Sequence, residues 1–333
     1  MTFLLLVAVV LLAMAVVLLA TLAVRRLVLA RRERRSAAAE LRVRPIAIEL
    51  MEGVAEPPAL PPADQAALAR VIGRYSRKVS GVASERIAGY FRDGGGLEAA
   101  LAALHSRHEW RRAAAAYALG DMACDEAVPA LLDALEDRSG EVRTAAARSL
   151  GRLRSPEAVL PLAEVLVAHR VPRGLAGSAL LELGVAAVPE LHRIAGHGDA
   201  PVRSIAITVL GLVGDSRDAG LAIEALRDPA ADVRAAAARA LGRIGTPAAE
   251  PALRAALDDG VHFVRAEAAA SLGTINARPA LPRLLAIART DRFRPARAAA
   301  QAVAAIDPGA LRAAAAEPGA GAHLHEAADL AAI

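Results

Sequence analysis

One short phrase recurs along the chain and limits what it can fold into. It reads "EVRTAAARSLGRLRSP" from Glu141, "DVRAAAARALGRIGTP" from Asp232 and "FVRAEAAASLGTINAR" from Phe263. Anchored on its arginine, the phrase places Arg112, Arg143, Arg173, Arg203, Arg234 and Arg265 at intervals of 30 or 31 residues, and a seventh unit aligns on Ala296. A leucine stands seven residues after each arginine: Leu119, Leu150, Leu180, Leu210, Leu241 and Leu272. A fixed period of this length marks a stacked repeat, whose single units cannot bury their apolar faces alone.

Each unit reads as two helices. The first is short, as at residues 127–135 and 248–257. The second starts near the Val-Arg pair and runs about three turns. Within it Val142, Ala146, Leu150 and Leu153 fall at i, i+4, i+8 and i+11, which is one buried stripe. Only 2% of the residues are aromatic, so the core must be filled by Ala, Leu and Val, which suits closely packed helices. Eleven residues after the anchor stand Gly184, Gly214, Gly245 and Asn276, where a left-handed residue is expected to end the helix. The glycines of the Leu-Gly pairs (Gly120, Gly151, Gly211, Gly242, Gly273) lie inside the second helix. There each costs about 1 kcal/mol relative to alanine, so a close approach by the neighbouring helix is expected to offset it. Asp137 and Arg143, Asp228 and Arg234, and Asp259 and Arg265 share one spacing. They are expected to form a structural ladder of charge-assisted hydrogen bonds linking neighbouring turns.

The segments "AVPALLDALEDRSGEVRTAAARSLGRL" and "AEPALRAALDDGVHFVRAEAAASLGTI" resemble HEAT-like repeats, in the short form of phycobilisome lyase-type proteins. The resemblance implies an all-α, right-handed α-solenoid of helical hairpins over residues 97–316, about seven repeats, used as a binding surface. An N-terminal cap is expected at 64–96, with Ile72, Tyr75, Ile87, Tyr90 and Phe91 as apolar contacts, and a capping helix at 317–333. Together with the N-terminal segment described next, the chain resembles bacterial membrane-anchored proteins with a HEAT repeat domain. Relatives of that kind are associated with membrane glycosyltransferases.

Residues 3–24, "FLLLVAVVLLAMAVVLLATLAV", carry no charge. As a helix they extend about 33 Å, enough to cross a hydrocarbon core of ~30 Å. A cleaved signal peptide is the competing reading, but no basic residue precedes the apolar run and the run is long for one. Arg25, Arg26, Arg31, Arg32, Arg34 and Arg35 follow at once. This arrangement predicts one transmembrane helix within residues 1–35, with the N-terminus outside and the repeats in the cytoplasm of an inner-membrane protein. It also places residues 25–35 against anionic lipid. Residues 36–63, with Pro57, Pro58, Pro61 and Pro62, are expected to be an extended linker.

Charge and motifs narrow the function classes. From residue 60 onward 32 basic residues face 31 acidic ones, which argues against a nucleic-acid binder, whose domain needs a basic excess. No phosphate loop, metal-spaced cysteine pair or nucleophile elbow is present. His105, His108, His323 and His325 read as solvated, and Cys124, the single cysteine, as a packing residue. The expectation is therefore no enzyme, no metal and no cofactor.

In HEAT-type stacks the second helices line the concave face, where positions one, five and nine after the anchor point outward. These give Thr144, Arg148 and Arg152; Gly174, Ser178 and Glu182; Ser204, Thr208 and Leu212; and Ala235, Arg239 and Arg243. Two arginine pairs thus flank a hydroxyl-bearing centre, either a groove for an acidic loop of a partner or a solvated polar face. Tyr117 and Trp110 are aromatic candidates for the same contact. The third unit, with Pro172, Gly174, Gly177 and Leu181, is irregular. The reading that results is a membrane-tethered scaffold expected to hold another protein, for instance a membrane-bound enzyme such as a glycosyltransferase. The alternative is a bilin lyase-like or other HEAT-repeat enzyme or regulatory subunit.

Overall fold

The computed structural model describes residues 2–54, 60–76, 79 and 81–331. Two compact units are present: residues 1–100 with 121–124, and residues 101–120 with 125–333.

The first unit contains α1 (Thr2–Glu52), α2 (Pro62–Ser76) and α3 (Val82–Asp93). The expected linker is largely absent, because α1 runs unbroken through residues 36–52. Its stripe Ala39, Val43 and Ala47 is buried together with Leu68, Ile72, Ile87 and Phe91, and this burial keeps the segment helical. Pro45 interrupts one backbone bond, but Pro45 and Leu41 are both exposed, so the carbonyl left without a donor meets water. Polar contacts reinforce the packing: Arg42 binds Asp64 at 2.6 Å, Glu40 accepts from Arg74 at 2.7 Å, and Arg86 donates to the Met51 carbonyl at 2.8 Å. The proline-rich stretch at 55–59 lies outside the described residues. Among the described residues no helix is long and apolar enough to cross a membrane. Most side chains of the expected span 3–24 also lie outside the description. Those that are described include Met14, Leu18, Leu19 and Val24, all more than half exposed.

In the repeat region the helices alternate short and long. They run α4 (Gly96–Leu104), α5 (Glu109–Asp121), α6 (Val128–Ala134), α7 (Gly140–Leu153), α8 (Val159–Val167), α9 (Arg173–Glu182) and α10 (Val188–Ala195). They continue with α11 (Ala200–Val213), α12 (Ala219–Ala225), α13 (Ala231–Ile244), α14 (Glu250–Ala256), α15 (His262–Thr274), α16 (Leu281–Thr290), α17 (Phe293–Ile306), α18 (Pro308–Ala315) and α19 (Ala322–Leu330). From α6 to α16 each short helix follows a single 3₁₀ turn. Within the second unit the long helices pack directly on one another, α7 on α9, α11 on α13, α13 on α15 and α15 on α17, while each short helix packs mainly on its own long one. At the end of the stack α19 lies against α16, α17 and α18, burying Leu324 and Ala327.

The Leu-Gly glycines sit where consecutive long helices touch. A Cβ on Gly211 would lie 2.5 Å from the Ala240 Cα, and one on Gly151 would lie 2.8 Å from the Ala179 Cα. At Gly120 and Gly242 the facing residues are Ser149 and Ser271, whose buried hydroxyls donate across the junction to the Ala116 and Ala238 carbonyls at 2.7 and 2.8 Å. A helix-weakening residue is kept because the facing backbone occupies the space a side chain needs.

Helix ends depart from expectation in two ways. Gly184, Gly245 and Asn276 are left-handed, but Gly214 is extended at φ −77°, ψ 174°. The reason lies just downstream, where Asp215 and Asp218 form a capping box that satisfies the turn instead. Arg154, at the matching position of another unit, adopts the left-handed state without being glycine. The third unit's long helix α9 has 10 residues where α7, α11 and α13 have 14. Pro172 is its N-cap and restrains Val171 from helical backbone, so the helix starts at the anchor arginine, three residues late.

Gly211→Ala is expected to destabilise the protein by about 1–3 kcal/mol through backbone displacement. Gly174→Ala, whose added Cβ meets nothing within 4 Å, should be neutral or mildly stabilising. Thermal melts of the two variants check this.

Candidate interaction surfaces

Two surfaces follow from the stacking: the outward side of the long-helix row, and the edge formed by the turns that lead into the long helices.

At the edge, each regular junction is closed by an arginine fork. Arg112 binds Asp137, Arg203 binds Asp228, Arg234 binds Asp259 and Arg265 binds Asp291, each through Nε and a terminal nitrogen at 2.6–3.0 Å. The side chains involved are only 8–17% exposed. The same arginines reach back to a carbonyl of their own turn: Arg234 to Asp228 O at 2.9 Å and Arg265 to Asp259 O at 2.7 Å. Asp137, Asp228 and Asp259 each also accept the backbone N–H two residues on, from Ser139, Ala230 and Val261. The forks therefore join turn to turn across repeats. The carboxylate partner lies 25 or 26 residues after the arginine, not six before it.

Arg143 breaks the pattern. Its Nε donates to the Arg170 carbonyl at 2.9 Å and Nη1 to the Asp137 carbonyl at 2.8 Å, and it has no carboxylate partner among the described residues. The guanidinium bonds hold the carboxyls of Asp137, Asp228, Asp259 and Asp291 below the ordinary aspartate value, against the opposing effect of burial.

On the long-helix row, Arg148 is exposed and lies over the Tyr117 ring, 5.5 Å from its centroid. Arg152 is half-buried. Arg239 is not an open cation: its Nε and Nη2 bind Glu267 at 3.2 and 3.0 Å, and Arg294 shares that carboxylate at 3.1 Å. This pair raises the Arg239 pKa, the Glu267 hydrogen bond being the main cause. Arg243 is exposed and makes no ion pair among the described residues. Ser178 and Thr208 turn their hydroxyls back to the Gly174 and Ser204 carbonyls at 2.8 and 2.7 Å, and Leu212 is 48% exposed between the arginine groups.

Trp110 is not part of this row. It stands at the start of α5 on the turn edge, 61% exposed, with the Arg111 guanidinium 5.1 Å from its ring centroid and the His108 ring beside it. There it helps line a cavity of about 580 Å³ with Arg107, Glu109, Arg138 and Ser139. A larger cavity, about 750 Å³, opens further along the same edge, between Gly140 and Thr144 on one side and His169–Arg173, Asp199 and Pro201 on the other. The late start of α9 leaves this space. Cys124 is buried, its thiol 3.6 Å from the Ala88 carbonyl. Among the described residues no group of three His, Cys, Asp or Glu side chains is placed to hold a metal ion.

The sequence profile for HEAT repeats matches residues 97–181 and 219–305, just over half of the chain. The chain is a HEAT-repeat protein. No curated protein sequence matches it. Among solved structures it is similar to Kap121p, at 14% identity and a TM-score of 0.53, over 80% of this chain and 38% of that one. It is also similar to Kap95p, in a structure describing how Kap95p binding switches the loops of RanGDP, at 13% identity and a TM-score of 0.50, over 79% and 41%. Similarity to a component of the CpcE–CpcF phycocyanin lyase complex from Nostoc sp. PCC7120 reaches 24% identity over 45% of this chain and 99% of that one, with a TM-score of 0.40. At these identities the likenesses concern the fold alone. The stretch that the HEAT profile passes over, 182–218, contains the extended Gly214 and the capping box that replaces the usual helix end.

A carboxylate whose folded pKa is depressed contributes stability that is present above its unfolded value and is lost as pH falls through the folded one. The ladder should therefore hold thermal stability level above about pH 5 and lose it below about pH 4. Asp259→Asn is expected to lower stability at neutral pH by about 1–2 kcal/mol, a few degrees in the melting midpoint, and to reduce the loss on acidification. Melting curves from pH 3 to 7 check both.

Proposed function

We propose that this HEAT-repeat protein is a membrane-tethered, non-catalytic scaffold whose long-helix row, the concave side in such stacks, holds a second protein. The observation that carries this reading is the state of the cations on that row. Arg148 and Arg243 are exposed without a carboxylate partner among the described residues, and the aliphatic Leu212 lies exposed between them. Arginine forks next to apolar and aromatic surface suit an acidic, partly apolar loop of a partner. The pairing of Arg239 with Glu267 moves the expected contact from Arg239 to Arg243.

The tether is read from the uncharged segment 3–24 and the arginines that follow it. Met14, Leu18, Leu19, Val24 and Leu27 are each more than half exposed on α1, and bare aliphatic side chains in such number ask for a lipid or protein environment. In this reading the N-terminus faces outward, residues 25–35 lie among anionic headgroups, and the repeats hold a membrane-bound enzyme, such as a glycosyltransferase, in the cytoplasm of a bacterial cell.

Crosslinked capture from solubilised membranes, followed by mass spectrometry, tests the reading. The expected outcome is one membrane-bound partner recovered with the wild type and at least tenfold less with Arg148→Glu/Arg243→Glu, while helicity and melting change little. Undiminished recovery with the double variant would contradict the role of the row. A chain that carbonate extracts from membranes would contradict the tether.

A further inference from the structure

The fork is missing at two anchors, Arg143, which bonds carbonyls instead, and Arg173, and the second gap adjoins the largest cavity described above. Arg173 occupies the anchor position of Arg112, Arg203, Arg234 and Arg265, yet it is exposed and makes no ion pair or side-chain hydrogen bond among the described residues. At the place six residues before the next anchor, where Asp137, Asp228 and Asp259 stand in other turns, this turn has His197. This histidine stands six residues before Arg203, as Asp228 stands before Arg234. Its backbone carbonyl accepts from Arg203 Nη1 at 2.9 Å, as the Asp228 carbonyl accepts from Arg234. Its Nδ1 accepts the N–H of Asp199 at 3.1 Å, as the Asp228 carboxylate accepts that of Ala230. His197 thus reproduces the turn of the ladder aspartate without supplying its carboxylate.

The other charges around the opening are already engaged. Asp199 is held by His169 at 3.1 Å, and Arg170 is held by Glu136 at 2.5 Å. Arg173 is the cation left over, on the wall of a space of about 750 Å³, room for a peptide segment and not only an ion. Along the same edge the exposed Trp110 offers an aromatic anchor beside the smaller cavity.

We propose that this opening is a docking site for an acidic segment of a partner protein, with an aspartate or glutamate side chain completing the missing rung on Arg173. The segment supplies from outside what Asp228, Asp259 and Asp291 supply from within, and planar carboxylate is the group that this fork position meets in the regular repeats. The inference rests on the reading of the chain as a protein-binding scaffold and names the chemistry and place of one contact.

The test uses the full chain in detergent micelles and three fluorescein-labelled dodecapeptides of one sequence pattern: Asp/Glu-containing, Asn/Gln-matched and phosphoserine-containing. Fluorescence anisotropy reads binding. The acidic peptide should bind and the amide peptide should not. Arg173→Gln should weaken the acidic peptide at least tenfold. His197→Asp should weaken it comparably while raising the melting midpoint, because the internal carboxylate then closes the rung. Acidic-peptide binding that both variants leave unchanged overturns the site, as does binding through Arg173 by the phosphopeptide alone. Arg148→Glu/Arg243→Glu should leave peptide affinity within twofold. If that double variant abolishes capture of a membrane partner while Arg173→Gln and His197→Asp change nothing, this site falls and the scaffold reading stands. If no variant affects any protein contact, both fall.

Discussion

A planar guanidinium reaching from one repeat to the carboxylate of the next is the contact on which the regularity of this stack depends. Its geometry is demanding, since two parallel bonds fix both distance and orientation. Repeated at four junctions, it sets the spacing of the turns on one edge of the long-helix row. The Leu-Gly glycine sets the spacing within the row by letting backbone meet backbone. The two constraints act together: the glycine allows a close approach, and the fork registers it. Where both fail in the third unit, with Leu181 at the glycine position and Arg173 unanswered, the long helix is short and a cavity opens.

Much of this architecture was legible in the sequence. The period of the anchor arginines and their following leucines gave the helical repeats and their buried stripes, because periodic burial is written directly in residue type. The close approach at the interior glycines was legible for the same reason: an energetic cost repeated at a fixed place implies a fixed compensation. The segment 36–52 was less legible. Pro57, Pro58, Pro61 and Pro62 just downstream suggested an extended chain over 36–63, but Ala39, Val43 and Ala47 are buried with residues of α2 and α3, and Pro45 is tolerated because its disrupted bond faces water. Gly214 misled in the opposite sense, since a capping box that begins at the next residue, Asp215, settles the turn without a left-handed residue.

The candidate surfaces were legible only in part. Sequence spacing paired each aspartate with the arginine six residues on, since that distance repeats within a unit. The bidentate partner is instead the arginine 25 or 26 residues earlier, a spacing that recurs at four junctions but is meaningful only once units stack. Arg239 looked like an open cation until the stack brought Glu267 and Arg294 beside it, whereas Arg243 stays open. The gap at Arg173 could be found only by knowing that His197 occupies the aspartate's place. Its side chain copies the turn hydrogen bond and so conceals the loss.

Closed rungs hold the regular junctions, and the proposed docking site leaves the rung at Arg173 for a partner. Hydrogen–deuterium exchange resolved to single turns tests it most directly, on the full chain with and without the acidic dodecapeptide. In the free protein, exchange should be faster at residues 166–172 and 194–199 than at 225–231 and 256–262, with protection appearing at the first two when the peptide is added. Equal exchange at all four turns, or protection that appears elsewhere, would contradict it.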